Sequence, residues 1–398
     1  MKVLILSCNT GEGHNSCAAA LEEECRNQNI PCDTEDALRF ISPEVSRFIS
    51  NWHVRIYRHA PGLFRVGYRA AEDHPAQFHE GSALYRYLTQ GAEKLCGFIA
   101  GSGYDTVICT HTFAALMVSE VVKTHLPNLK TCFIATDYTC SPSVKDSSLD
   151  RYFIPASSLS GDFLGGGVTS ERLRACGIPV RQMFRSSVRK EDAKRAFGIP
   201  ADHKHLVMMC GSMGCGPIKD LAELLPQQLP EDALLVIIMS IARRIGRNLP
   251  DDQDLTIVCG TNKQLYRRLQ RRFYDAKNVH VRSYVKDMAL LMDSADLYLT
   301  KPGGISVTEA ASMRLPMVFI DAVAGCEEYN KDFFLRTGGA VTGQTPKEIA
   351  RTSLRLLSDK DALEKMGDAL DAAVPHNAAA NILSEMSEAE EEKEEDLA

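Results

Sequence analysis

Short apolar runs alternate with amphipathic, helix-like stretches along almost the whole chain. The runs read as strands are Val3–Cys8, Thr106–Thr110, Thr131–Ala135, Arg151–Ile154, Leu206–Cys210, Leu234–Met239, Leu255–Cys259, Leu297–Thr300 and Met317–Ile320. Several are continuous rather than alternating in polarity, the mark of strands covered on both faces by helices in a parallel sheet. Val3–Cys8 and Leu206–Cys210 each run into a glycine-containing loop and then a helix, which predicts two Rossmann-like halves with a linker around Arg185–Pro200. The expected division is residues 1–185, residues 186–375, and a C-terminal helix end with a disordered acidic tail over 376–398.

With 398 residues and 44% hydrophobic content, two domains with sizeable cores are the natural expectation. No apolar run reaches the ~18 residues of a membrane span, and no signal peptide is expected. The 13 cysteines show no CxxC pair and no zinc spacing, which predicts reduced thiols in a cytoplasmic protein without a metal centre. The net charge of −7 belongs to the tail: Glu385–Ala398 holds eight acids and one lysine, so the 384 residues before it sum to zero. The acidic balance therefore does not exclude an anionic partner for the body.

One segment departs from the alternation. Arg39–Arg69 carries six arginines and six aromatics, among them Trp52, Arg55, Arg58, Phe64 and Arg65, against the single acid Glu44. Cations interleaved with rings suit an anionic membrane surface, though an Arg-rich helical hairpin with its rings in the core gives the same pattern. No nucleic-acid motif accompanies it, so a nucleic-acid partner is not expected.

Four motifs carry chemistry. Gly11-Glu12-Gly13-His14 follows the first strand and lacks the GxGxxG spacing of a dinucleotide site; a neutral imidazole at a helix start can act as a general base on a hydroxyl. Gly211-Ser212-Met213-Gly214-Cys215-Gly216 offers backbone amides at a helix N-terminus to an anion, without the Lys-Ser/Thr of a P-loop. Lys301-Pro302-Gly303-Gly304-Ile305-Ser306-Val307-Thr308-Glu309-Ala310 repeats that logic. Glu309 is expected in the first helical turn, able either to bind ribose hydroxyls or to close an S-x-x-E capping box with Ser306. Gly325-Cys326-Glu327-Glu328-Tyr329-Asn330 places acids and an amide after a strand, where parallel sheets bind ligands.

These motifs, with Thr110-His111, Thr136-Asp137-Tyr138 and Gly177-Ile178-Pro179-Val180, occur in the order seen in the monogalactosyldiacylglycerol synthase and processive diacylglycerol glucosyltransferase family, which the chain resembles over roughly residues 1–375. The resemblance implies a GT-B fold, two Rossmann-like domains facing a cleft, and metal-free inverting transfer of glucose or galactose from a UDP-sugar to diacylglycerol. No cofactor is expected beyond the UDP-hexose substrate. It implies the inner face of the cell membrane as the place of work, with peripheral attachment. His14 would be the base, with His111 and Asp137 as further candidates. Gly13, Gly211, Ser212, Gly214, Gly303, Gly304, Ile305, Glu309, Glu327 and Asn330 would take the UDP-sugar. Asn9 stands where many members have aspartate, and Cys326 where many have glutamine. A UDP-N-acetylglucosamine 2-epimerase and a non-catalytic nucleotide-sugar-binding regulator are the competing readings.

Overall fold

The computed structural model describes residues 1–9, 12–49, 73, 75–209, 233–320 and 325–395. These residues form two compact units. One runs from the N-terminus to Gln182 and is rejoined by the chain from Pro375 onward; the other is Met183–Val374.

The first unit holds a six-stranded sheet in the order β2-β1-β3-β4-β5-β6. Its strands are β1 (Val3–Ser7), β2 (Cys32–Asp36), β3 (Thr106–Cys109), β4 (Lys130–Ile134), β5 (Arg151–Phe153) and β6 (Leu173–Arg174). All its pairings are parallel; Val3 lies opposite Cys32 on one side and Thr106 on the other. Helix α1 (Glu12–Asn27) follows β1, and α2 (Thr112–Thr124) follows β3. The strand order reverses between β1 and β3, and open α/β sheets bind ligands at such a switch point, beyond the carboxyl ends of the strands.

The second unit repeats the plan in the order β12-β11-β10-β7-β8-β9, again all parallel. The strands are β7 (Lys204–Met209), β8 (Gln253–Val258), β9 (Val279–Arg282), β10 (Leu297–Thr300), β11 (Met317–Phe319) and β12 (Ala340–Thr342). This is the 3-2-1-4-5-6 order of a dinucleotide-type Rossmann fold, with its switch point between β7 and β10. Its helices include α3 (Ala233–Asn248), α4 (Lys263–Arg272), α5 (Gly304–Ser312), α6 (Cys326–Thr337) and α7 (Pro346–Leu357).

Three expectations are corrected. Leu234–Met239, read as a strand, lies within α3. Periodicity cannot separate a short apolar run in a strand from one in a helix; here Ile238, Ile241, Ala242 and Ile245, spaced i, i+3, i+4, i+7, are the buried face. The Arg185–Pro200 segment, read as a linker, contains a helix over Lys190–Phe197 capped by Gly198 at φ +77°. The acidic tail, read as disordered, is helical as far as Glu395: α8 (Ala378–Glu395) packs on α1 and buries Ile382, Leu383 and Met386 completely. Its Glu385 meets Arg174 of β6 at 2.9 Å. Gly177 prepares this return. It sits at φ +91°, and an added Cβ would press on Pro375 at 3.2 Å, so the position demands both left-handed backbone and no side chain.

The second core also contains a pH-dependent element. His205 on β7 is fully buried, with Nε2 2.8 Å from Thr256 Oγ1 and Nδ1 3.0 Å from Ser294 Oγ. Burial disfavours its cation and lowers its pKa from 6.5 to about 4. The unfolded chain therefore takes up a proton that the fold resists. Stability from this group is complete above pH 6.5 and is lost as pH falls toward 4. In that window, stability measured by denaturant titration should fall with up to about 1.4 kcal/mol per pH unit more slope in the wild type than in His205→Gln. Equal slopes would remove His205 as the cause.

Candidate active site

Three adjacent strands of the first sheet, β1, β3 and β4, deliver their following residues to one edge. His14 comes from the first turn of α1, which starts at Glu12. Its Nδ1 lies 2.7 Å from the Thr110 carbonyl oxygen and 3.1 Å from Thr136 Oγ1. A carbonyl oxygen only accepts, so Nδ1 carries the proton and the lone pair of the neutral ring is on Nε2. The backbone thus fixes the tautomer that a general base needs.

His111 lies beside it, ring centroids 4.5 Å apart in an edge arrangement. It has a different task. It is the N-cap of α2, and its Nδ1 accepts from the Phe113 amide at 3.0 Å, which puts its neutral-form proton on Nε2. Of the two imidazoles, His14 is set to accept a proton and His111 to donate one. Asp137 follows β4, half-buried, next to buried Thr136.

Asn9, one of the departures from the family pattern, is explained by its neighbour. Asp36 at the end of β2 accepts from Ser46 Oγ (2.5 Å), from the Leu38 amide (3.1 Å) and from Asn9 Nδ2 (3.0 Å). Asn9 Oδ1 in turn accepts from Asn15 Nδ2 (3.0 Å). A carboxylate at position 9 would face Asp36 as a like charge, so an amide that donates is the fitting residue here.

In the second unit, Lys301 and Pro302 leave β10 and the chain enters α5 with Gly303 as N-cap. Buried Gly304 and Ile305 open the helix. Gly303 has no capping side chain, and Ser306, inside the helix, meets Tyr298 OH at 3.2 Å. The capping box expected from Ser306 and Glu309 therefore does not form, and Glu309 lies in the second turn rather than the first. The next helix, α6, starts after β11 and braces the loop. Lys301 Nζ donates to Glu327 Oε1 at 2.5 Å, and fully buried Asn330 donates to the Pro302 carbonyl at 3.0 Å. Glu327, itself buried, lies 3.7 Å from where a Gly303 Cβ would be, so the open face of the glycine looks onto the Lys301–Glu327 pair. Sequence reasoning missed Lys301 as a member of this set; the signal was available, a lysine at the carboxyl end of a predicted strand. Cys326 is the first residue of α6.

Gly13 is placed in the first turn of α1. Gly211, Ser212 and Gly214, together with Trp52, Arg55, Arg58, Phe64 and Arg65, lie outside the described residues. Among the described residues no group of three or more His, Cys, Asp or Glu side chains is arranged to hold a metal ion, and no helix is long and apolar enough to cross a membrane.

Two Rossmann-like units, each built on a six-stranded parallel sheet, are the architecture of GT-B glycosyltransferases. Solved structures share it. MurG of Acinetobacter baumannii is 15% identical with a TM-score of 0.62, covering 97% of this chain and 99% of that one. The UDP-GlcNAc 2-epimerase from Neisseria meningitidis, 14% identical with a TM-score of 0.59, covers 98% and 100%. Residues 14–180 match the monogalactosyldiacylglycerol (MGDG) synthase family, and residues 223–371 match glycosyl transferases group 1. Among curated relatives, the processive diacylglycerol beta-glucosyltransferase of Staphylococcus saprophyticus is 23% identical over 380 residues, 94% of this chain and 90% of that protein. The chain is a hexosyltransferase that joins an MGDG synthase domain to a glycosyl transferases group 1 domain, and over most of its length it is similar to processive diacylglycerol beta-glucosyltransferases.

Proposed function

We propose that the chain transfers a hexose from a UDP-sugar to diacylglycerol with inversion at the anomeric carbon, and that glucose is the sugar. The observation that carries the reading is His14, held by the Thr110 carbonyl with its lone pair on Nε2, in the half of the chain that matches MGDG synthase. In this reading residues 1–185 take the acceptor and meet the membrane, and residues 186–375 take the donor. Nε2 removes the proton from the acceptor hydroxyl as that oxygen attacks the anomeric carbon and the bond to UDP breaks. The amides at the start of α5, with Gly211, Ser212 and Gly214, hold the diphosphate whose charge grows as it leaves. Glu309 takes the ribose, and Glu327 acts at the sugar side with Lys301. Asn330, whose amide is committed to Pro302, supports the loop from below.

Incubation with UDP-glucose or UDP-galactose and diacylglycerol vesicles, with lipid products weighed by mass spectrometry, tests this. A monohexosyl or dihexosyl diacylglycerol from UDP-glucose is the expected product. Conversion of UDP-N-acetylglucosamine at C2 with no lipid product would replace the reading with the epimerase one, and UDP-sugar binding without either product with the regulatory one. Within the donor site, Glu309→Ala should weaken UDP binding by roughly 1–3 kcal/mol, the scale of a lost charge-assisted hydrogen bond. Because Gly303, not Ser306, caps the helix, the variant loses no capping-box contribution to stability. Calorimetric titration with unchanged UDP affinity would take Glu309 out of the site.

Membrane attachment is peripheral in this reading and uses the Arg39–Arg69 segment. In its described part, Arg39 and Arg47 pair with Glu35 (3.2 Å) and Glu44 (3.1 Å), while Phe48 is 65% exposed.

A further inference from the structure

Helices α3 and α4 of the second unit hold a concentration of positive charge that the donor site does not use. Neither helix contains an acid, and α4 has five basic residues among its ten: Lys263, Arg267, Arg268, Arg271 and Arg272. Leu265 and Leu269 turn one face of α4 into the core, leaving Arg267, Arg271 and Arg272 exposed. The end of α3 adds exposed Arg243, Arg244 and Arg247. The two helices come together at Gly246, where an added Cβ would stand 2.8 Å from the Phe273 ring that follows α4. This close approach gathers Arg243, Arg272 and Arg244 around Arg247 tightly enough that their repulsion lowers its pKa from the ordinary guanidinium value.

Cations at helix C-termini complement the macrodipole, but each helix end presents only about half a negative charge. The six arginines of this face exceed that several-fold. Among the described residues none of them has an ion-pair partner, in contrast to Arg174, Arg189 and Arg314, each of which meets a carboxylate. A face that holds repelling charges together calls for an external anion spread over a comparable area. Tyr274, the residue after Phe273, is 86% exposed. An exposed ring beside arginines fits the headgroup layer of a bilayer, where the ring sits among the headgroups and the guanidiniums meet lipid phosphates.

We propose that the α3–α4 face with Tyr274 is a docking surface for an anionic lipid bilayer, a second membrane contact carried by the donor unit and separate from the Arg39–Arg69 segment. The proposal rests on the reading that the acceptor is a membrane lipid, because a donor unit that also holds the surface keeps its sugar where acceptor headgroups are.

The test is flotation of the full chain with phosphatidylcholine vesicles, with and without phosphatidylglycerol, comparing the wild type with Arg267→Gln/Arg271→Gln/Arg272→Gln and with Tyr274→Ala. Three neutralised charges should weaken binding to the anionic vesicles about a hundredfold, and added salt should erase the difference. UDP affinity and transfer to acceptor dispersed in detergent should stay at wild-type values, which shows the variant is folded. Unchanged vesicle binding in the triple variant overturns the proposal. So does a loss confined to self-association, which would assign the face to the acidic α8 of a second copy, or to binding of an RNA probe. If the wild type makes no glycolipid but the triple variant still loses vesicle binding, the acceptor reading fails and the docking surface stands.

Discussion

His14→Ala should lower the turnover of sugar transfer by about 10²–10⁴-fold, the contribution of a positioned general base, while UDP affinity stays near the wild-type value. The affinity is spared because the nucleotide is assigned to the second unit. The size of the loss follows from the geometry: the Thr110 carbonyl at 2.7 Å fixes both the ring and its tautomer, so the whole benefit of Nε2 disappears with the side chain. Rate should also fall on the acid side, where protonation of Nε2 removes the lone pair. His111→Ala serves as the comparison. Its ring caps α2 through Nδ1, so its loss should cost stability of about 1 kcal/mol and a smaller part of the rate. Stopped assays with a diacylglycerol acceptor, beside calorimetric UDP titration, separate the two. Full turnover in His14→Ala, or a larger loss in His111→Ala, would move the base to His111 or Asp137.

The second large effect concerns the end of the chain. Ending it after Ser384 should destabilise the first unit by roughly 2–4 kcal/mol, seen as a melting temperature lower by about 4–8 °C. Met386 is fully buried and Glu385 pairs with Arg174, and both are lost in that truncation. Ending the chain after Glu388 keeps both contacts and should melt like the full length. The composition of Glu385–Ala398 suggests a solubilising tail, for which both truncations would be harmless. Equal melting temperatures for the two shortened chains and the full chain would restore that view.

Much of the framework of the candidate site was legible in the sequence. Val3–Cys8 followed by Gly11–His14, and Leu297–Thr300 followed by Lys301–Glu309, announce a strand and then a helix, and among the described residues the structure has β1 before α1 and β10 before α5. What was not legible has physical causes. The four strands missed, β2, β6, β9 and β12, are the edges of the two sheets. Edge strands have one neighbour and stay short or polar, as in Cys32–Asp36 with its exposed Asp33 and Thr34, so they lack the apolar run that betrays an interior strand. Ser306 and Glu309 have capping-box spacing, but the helix begins at Gly304 because β10 ends at Thr300 and the glycines turn the chain first.

The sequence by itself determined the alternation of buried strands and amphipathic helices, the two Rossmann-like halves, and which residue types stand at the carboxyl ends of the interior strands. Those are local properties, written in runs and periods of a few residues. Tertiary structure alone decided the proton on His14, since its partner Thr110 is 96 positions away in the chain. It decided the match of Asn9 to Asp36, the Lys301–Glu327 brace, the gathering of arginines at Gly246, and the return of an acidic helix to the first unit. Each depends on which distant residue comes to face a given side chain, and no local pattern carries that information.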